Sequence, residues 1–138
     1  MKGLPGLIRL ARWKLDEQRR TLAGLESLAD EFRRQIGQLD AEVRREADVA
    51  RTSPDAARTY SAFAAASLAR RQRLEKSLHD TLRQAAAQHE EVTRAFQELR
   101  RYEIAQDQRE RQAAKIARRH DQIAQNEVGL NVFRRRTA

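Results

Sequence analysis

The sequence contains no cysteine, only two prolines and five glycines, and aromatic residues make up 5% of its 138 residues. The absence of cysteine excludes disulfides and thiolate metal sites and is typical of a reducing compartment. β-Branched residues are sparse and no stretch alternates with period two, so strands are not expected. No apolar run approaches the roughly 18 residues of a membrane span, and Leu4–Leu10 is too short for a signal peptide. We therefore expect a cytoplasmic protein.

Charged residues and helix formers are abundant instead. Asp, Glu, Lys and Arg make up 35% of the chain, and most of its apolar residues are Ala and Leu, which is typical of long helices or coiled coils. The net charge is +8, and residues 100–138 carry ten basic against five acidic side chains. The C-terminal quarter thus holds +5 of the +8, which suggests an acidic partner at that end.

Apolar side chains recur every seven residues between Leu4 and Val43, in two rows offset by three or four positions. This is the pattern of the a and d positions of a coiled coil, and it requires a partner helix. Only Gln18 interrupts the rows with a polar side chain. The apolar members of the two rows are Leu4, Ile8, Ala11, Leu15, Leu22, Leu25, Ala29, Phe32, Ile36, Leu39 and Val43.

The helical pattern of the chain is clearly interrupted once, at residues 51–55, which include Ser-Pro-Asp at 53–55. This sequence is typical of a helix start, with Ser as N-cap, Pro at the first helical position and Asp facing the positive end of the helix dipole. Helix 1 is therefore predicted over about residues 4–50, with a turn at 51–53. A connection this short favours antiparallel neighbours.

Helix 2 is predicted from residue 54 to about 128, where Gly129 is a plausible C-cap, followed by a basic tail at 129–138. Because helix 2 is the longer, about thirty of its residues have no partner in their own chain. We predict a single all-α domain over residues 1–138, a long antiparallel two-helix coiled-coil hairpin with helix 2 projecting beyond helix 1. Two hairpins could pair through the projecting ends, so the oligomeric state stays open.

A stripe on helix 2 is predicted to complete the seam of the coiled coil. Antiparallel pairing then places Gln18 opposite Ala85 and continues to Leu68 opposite Ile36 and Ala64 opposite Leu39. The weak points of this register are Phe32 near Arg71 and Ala29 near Glu75. The stripe consists of Leu78, Leu82, Ala85, His89, Val92, Phe96 and Leu99.

The sequence contains no recognisable chemistry of catalysis. It has no phosphate-binding glycine loop, no nucleophile elbow and no metal-ligand spacing. The three histidines, His79, His89 and His120, are isolated. We expect no enzymatic activity, no cofactor and no metal.

Several arginine pairs raise the question of nucleic-acid binding, but no aromatic residues alternate with them for base stacking. We expect helix faces exposed to solvent, and no nucleic acid as partner. Trp13 falls at an outward position, as a surface residue or as a contact for another protein. Tyr60 and Phe63, near the turn, either pad the turn or form a docking patch.

Three stretches resemble a known family. They are Lys14–Arg20 (KLDEQRR), the Tyr60-x-x-Phe63 pair after the turn, and Gln106–Gln112 (QDQRERQ) in a basic C-terminal helix. Together with the hairpin plan, they make nearly the whole chain similar to the FliJ family, the soluble stalk proteins of the bacterial flagellar type III protein export apparatus. The injectisome stalk proteins of virulence secretion systems share this plan. A generic coiled-coil scaffold or a basic nucleic-acid binder are the remaining alternatives.

The resemblance implies a stalk like that of rotary ATPases, whose end with both termini inserts into the hexameric export ATPase and promotes its activity. It also implies contact with the cytoplasmic domain of the export gate, escort of export chaperones, and a peripheral position at the inner face of the membrane, without membrane insertion. The implied export-gate contacts are Tyr60, Phe63 and Leu68. The implied ATPase contacts are Arg100, Arg101, Arg109, Arg111, Lys115, Arg118 and Arg119.

Overall fold

The computed structural model describes residues 3–137, which form two helices, α1 (Gly3–Thr52) and α2 (Pro54–Thr137), joined by Ser53 alone. The two helices pack against each other as an antiparallel hairpin, and no strand is present in this part of the chain. The predicted all-α hairpin is thereby confirmed. Over the same residues, neither helix has a stretch apolar enough to cross a bilayer.

The single-residue turn depends on the hydrogen bonds of Ser53. Its N–H donates to the carbonyl of Val49 at 3.0 Å, and its own carbonyl accepts from the N–H of Ala57 at 3.0 Å. Its hydroxyl accepts from the N–H of Ala56 at 3.4 Å, which is the N-cap contact predicted from the sequence. Pro54 follows at the first helical position, where a missing N–H costs nothing.

The predicted end of helix 2 near residue 128 differs from the structure, in which α2 continues to Thr137. Gly129 ends a helix only when it adopts a left-handed conformation, and none of the glycines among the described residues has a positive φ. No proline follows to block the helix. Three arginines in the last turn, Arg134–Arg136, also interact favourably with the helix dipole.

The chain forms two compact units, one of Lys14–Ala95 and one of Met1–Trp13 with Phe96–Ala138. The first contains the two arms that meet at Ser53. In the second, the start of α1 packs on the part of α2 that follows Ala95, where Leu99 is buried. In this unit α2 is partly covered as far as Gln106 and exposed from there on.

The predicted seam of α1 is confirmed by burial. The residues of its two rows are all shielded from solvent to some degree, and Gln18 is half-buried between them. The buried members are Leu4, Ile8, Ala11, Leu15, Ala29 and Leu39. The half-buried members are Leu22, Leu25, Phe32, Ile36 and Val43.

One of the two predicted rows of α2 is also confirmed, since Leu99 is buried and Leu78, Ala85 and Val92 are half-buried. The other row is wrong by one residue. Leu82 and Phe96 were expected in the seam but are 39% and 47% exposed. Two other residues expected in the seam are also outside it: Leu68 is 58% exposed and His89 is exposed.

The seam instead takes the row one position earlier, in which Ser67 and Thr81 are buried and Gln88 is half-buried. Either choice satisfies the heptad spacing. The row of Leu82, however, also contains Glu75, seven residues before it, and this side chain stays exposed. Burying its carboxylate would cost far more than burying hydroxyls that can be hydrogen-bonded. Thr81, for example, donates its hydroxyl to the carbonyl of Ser77 at 2.8 Å.

The predicted register is wrong as well. Gln18 contacts Gln88 rather than Ala85, and the guanidinium of Arg71 donates to the carboxylate of Asp40 at 2.8 Å. Arg71 was expected near Phe32, eight residues earlier in α1. Gln88 lies three residues after Ala85, and the helices join through Ser53 alone, at the end of the predicted turn 51–53, which shifts the pairing in this direction. In this register Arg71 finds a carboxylate instead of an apolar ring.

This burial pattern makes Leu15→Ala and Leu82→Ala a matched pair. Leu15 is 4% exposed, so its truncation should lower the free energy of unfolding by about 2–3 kcal/mol. Leu82→Ala should cost less than about 1 kcal/mol, since its side chain is already partly in water. Urea denaturation followed by helical circular dichroism measures both. Equal losses would contradict the seam row described here.

Candidate binding surfaces

Residues 107–137, called the basic extension here, form the part of α2 that no residue of α1 covers within its unit. Every residue of the extension is exposed. Most helices in proteins are stabilised by packing on other elements. The extension lacks such packing, but it continues directly from a packed helix and contains many good helix formers. It therefore presents about 46 Å of helix, at 1.5 Å per residue, for contact with another molecule.

The extension contains eight Arg and Lys against four Asp and Glu, a net charge of +4. Among the described residues it has one ion pair, between Arg111 and Asp107 at 3.0 Å. The guanidinium and ammonium groups of the others are free to pair with a partner. Such groups donate strong, charge-assisted hydrogen bonds to carboxylates.

All seven residues implied as ATPase contacts are exposed, but they do not share one face. Arg111, Lys115 and Arg118 follow each other at steps of four and three, which places them along one side of the helix. Arg109 lies on the opposite side, seven residues before Ile116. Arg100 and Arg101 precede the extension, in the stretch that packs on α1, and are exposed there.

Three large apolar side chains on the extension also form a row. Ile116, Ile123 and Leu130 are seven residues apart and are 48%, 52% and 54% exposed. They continue the seam row of Tyr102, which is half-buried. The extension thus presents half of a coiled-coil seam, without a covering helix among the described residues, beside a basic face.

A second surface lies in the other unit, close to the turn. Here a groove between α1 and α2 exists because two seam positions of α2, Ala64 and Ser67, carry small side chains. They leave space beside the larger side chains of Leu39 and Val43. We call it the turn groove; it is lined by Leu39, Asp40, Val43, Arg44, Ala64, Ser67, Leu68 and Arg71.

The three residues implied as export-gate contacts are not brought together in one patch. Leu68 lines the turn groove, whereas Phe63 lines a different groove with Glu42 and Arg70. Tyr60 is half-buried at a seam position. Since Leu68 is exposed rather than in the seam, its side chain is accessible to a partner.

The ion pair at the edge of the turn groove was not recognised in the sequence. Arg71 Nε and Asp40 Oδ1 are 2.8 Å apart, with side chains 38% and 36% exposed, and Arg71 also pairs with Glu75. Hydrogen bonding to Arg71 holds the pKa of Asp40 below its usual value of 3.8. The opposite charges of Asp40 and Arg71 could have suggested an ion pair between the helices. Charge alone does not identify the partners, however, because the register of the two helices must be known first.

The remaining candidates are isolated. Trp13 is 60% exposed, in agreement with its predicted outward position. His79 and His120 are exposed, like His89. Residues 3–137 contain no group of three or more His, Cys, Asp or Glu that could bind a metal ion.

Comparisons of the chain with protein-family models, curated proteins and solved structures find no significant match. The two surfaces and the resemblance noted above are therefore the basis for a functional proposal.

The Asp40–Arg71 pair leads to a pH-dependent prediction. Asp40→Asn should lower the free energy of unfolding at pH 7 by about 0.5–1 kcal/mol, since the pair is partly exposed. Because the folded pKa of Asp40 lies below the unfolded one, the contribution is complete above the unfolded pKa and is lost as the pH falls through the folded one. The difference between wild type and variant should therefore shrink as the pH falls below 3.8.

Asp30→Asn is the matched control, because Asp30 pairs only with Arg33, one turn away, and its side chain is 74% exposed. It should change the free energy of unfolding by less than about 0.5 kcal/mol. Denaturation of wild type, Asp40→Asn and Asp30→Asn at pH 7 and below pH 3.8 provides the comparison. A difference for Asp40→Asn that stays constant with pH would show that its carboxylate charge does not stabilise the hairpin.

Proposed function

We propose that the chain is a stalk component of the bacterial flagellar type III protein export apparatus, whose basic extension inserts into the hexameric export ATPase and promotes its activity. The observation that carries the proposal is the extension itself, a helix of net charge +4 whose residues are all exposed and which continues from a hairpin. The resemblance to the FliJ family supplies the identity of the partner.

The exposed charges of the extension suit a contact that can shift while the ATPase ring hydrolyses ATP. Exposed ion pairs are individually weak, so a partner with acidic side chains is attracted without being locked in one position. Long-range attraction between opposite charges also speeds the encounter. The row of Ile116, Ile123 and Leu130 adds apolar area for a ring lining with apolar groups.

The turn groove and its neighbours are the second part of the proposal, as the contact for the cytoplasmic domain of the export gate. Leu68 is the best candidate of the three implied residues because it is the most exposed. Tyr60 and Phe63 contribute only partly exposed rings. Escort of export chaperones, and a peripheral position at the inner membrane face of the flagellar base, belong to the same proposal.

An injectisome stalk of the same plan is the alternative, since the features of the extension serve either ring. The two functions differ in the ATPase that responds. A chain that stimulates hydrolysis by an injectisome ATPase, and not by the flagellar one from the same cell, belongs to the injectisome.

The ATPase contact is tested by reversing charge on the extension. A triple variant, Arg109→Glu, Arg111→Glu and Arg118→Glu, should lose stimulation of ATP hydrolysis and weaken binding to the export ATPase by about tenfold or more. Three charge-assisted contacts become repulsions in this variant. Hydrolysis rate and affinity are measured with purified proteins, and circular dichroism confirms that helicity is retained.

The matched control reverses three arginines elsewhere, Arg19→Glu, Arg45→Glu and Arg83→Glu. All three are exposed, and the net charge changes by the same amount as in the triple variant. The control should stimulate like wild type, because these residues lie outside the extension. Unchanged stimulation by the extension variant would overturn the assignment, and equal loss in both variants would reduce it to an effect of net charge.

A further inference from the structure

Ser53, which joins the two helices, takes part in helix-like hydrogen bonds on both sides. Its N–H donates to the carbonyl of Val49 and its carbonyl accepts from the N–H of Ala57, both at 3.0 Å. Each bond spans four residues, as in an α-helix. None of the described residues has a positive φ, so the chain reverses without a left-handed residue. The difference between the hairpin and one continuous helix is therefore confined to Ser53 and Pro54, which we call the hinge.

Pro54 is the main obstacle to a continuous helix at the hinge. A proline disfavours the helical conformation of the residue before it, which here is Ser53. Inside a helix, its ring also clashes with the carbonyl four residues earlier, that of Ala50, and it has no N–H to donate. The hydroxyl of Ser53 acts in the same direction, because its bond from the N–H of Ala56 is made as an N-cap.

The residues on either side of the hinge favour a helix. Six of the ten other residues between positions 47 and 58 are Ala or Arg, which are good helix formers. In a continuous helix, the N–H groups of Asp55 and Ala56 would donate to the carbonyls of Arg51 and Thr52. Without the proline and the cap, the local sequence would therefore favour a helix that runs through the hinge.

A chain with such a continuous helix cannot fold α1 back on its own α2. A second copy then completes the seam, because the surface that covers α1 in the structure is α2 itself. The contacts of Gln88 with Gln18 and of Arg71 with Asp40, both within Lys14–Ala95, would form between copies instead. This exchange of identical elements is domain swapping, which yields dimers at low cost and is favoured by short hinges.

We propose that Pro54 keeps this chain a single-chain hairpin and prevents a domain-swapped dimer, in which α1 of each copy packs on α2 of the other. The same seam residues meet in the two forms, so the seam does not discriminate between them. The hinge discriminates, and because a swapped dimer contains two hinges, the penalty of Pro54 applies twice. One copy of the chain thereby supplies both helices of the seam.

Sedimentation equilibrium of the full chain, over about 1–100 μM, tests the role of the hinge. Wild type should be monomeric. Ser53→Ala with Pro54→Ala removes the cap and the proline, and its association constant should exceed that of wild type by about a hundredfold or more. Pro54→Ala alone should give an intermediate association constant, because the cap of Ser53 remains.

The matched control makes the same two replacements away from the hinge, as Pro5→Ala with Ser61→Ala. Both residues are exposed, and the chain has no other proline than Pro5 and Pro54. This control should stay monomeric like wild type. Circular dichroism verifies that all variants are helical.

Crosslinking between copies tests whether the dimer is swapped, and the absence of native cysteine allows it. Chains with Gln18→Cys and chains with Gln88→Cys are refolded together and treated with a short thiol crosslinker. The two kinds of chain should be joined when both also carry the hinge substitutions, and not in the wild-type background. Both cysteines in one wild-type chain should crosslink within that chain, which verifies that the positions are close.

Three results would overturn the proposal. The first is a hinge variant that stays monomeric over the whole concentration range. The second is a dimer of the hinge variant without crosslinks between positions 18 and 88 of different copies. The third is dimerisation of wild type or of the control to the same extent as the hinge variant. None of these experiments involves the export ATPase, so their outcome is independent of the proposed stalk function.

Discussion

The packing of the heptad rows of α1 against α2 accounts for every buried apolar side chain among residues 3–137. Such a seam has no sheet and no third helix to support it, so its rotation and register determine which surfaces are left outside. The rotation keeps the carboxylate of Glu75 in water and places Thr81 rather than Leu82 inside. The register follows from the connection through Ser53 alone and brings Arg71 to Asp40.

The sequence was sufficient for the number of helices, the turn at Ser53 and the α1 seam, since each depends on local pattern and capping. It was insufficient for the second row and the register of α2. Ranking neighbours by hydrophobicity favours Leu82 over Thr81, and heptad spacing by itself does not fix how far one helix is offset along the other. The predicted helix end at Gly129 was wrong because a glycine permits a helix to end without requiring it.

The rotation and the register of the seam also determine which side chains of α2 are exposed to a partner. Had the row of Leu82 been buried, Leu68 would be unavailable to any partner. Because the start of α1 covers α2 only as far as Gln106, the remaining helix presents its basic side chains and the row of Ile116 to a partner. Charge asymmetry alone indicated a basic C-terminal surface, and the resemblance to the FliJ family supplied the candidate ATPase residues. The separation of Phe63 from Leu68 required the folded hairpin.

The most direct test of the proposed stalk function is photocrosslinking from single sites to the assembled export ATPase. A photoreactive amino acid at Ala117, in the basic extension, should crosslink to residues that line the central opening of the ring. The same group at Ala57, near the turn, should not reach the ATPase. Crosslinks from Ala57 to the ring with none from Ala117, or no crosslinks from either site, would contradict insertion of the extension.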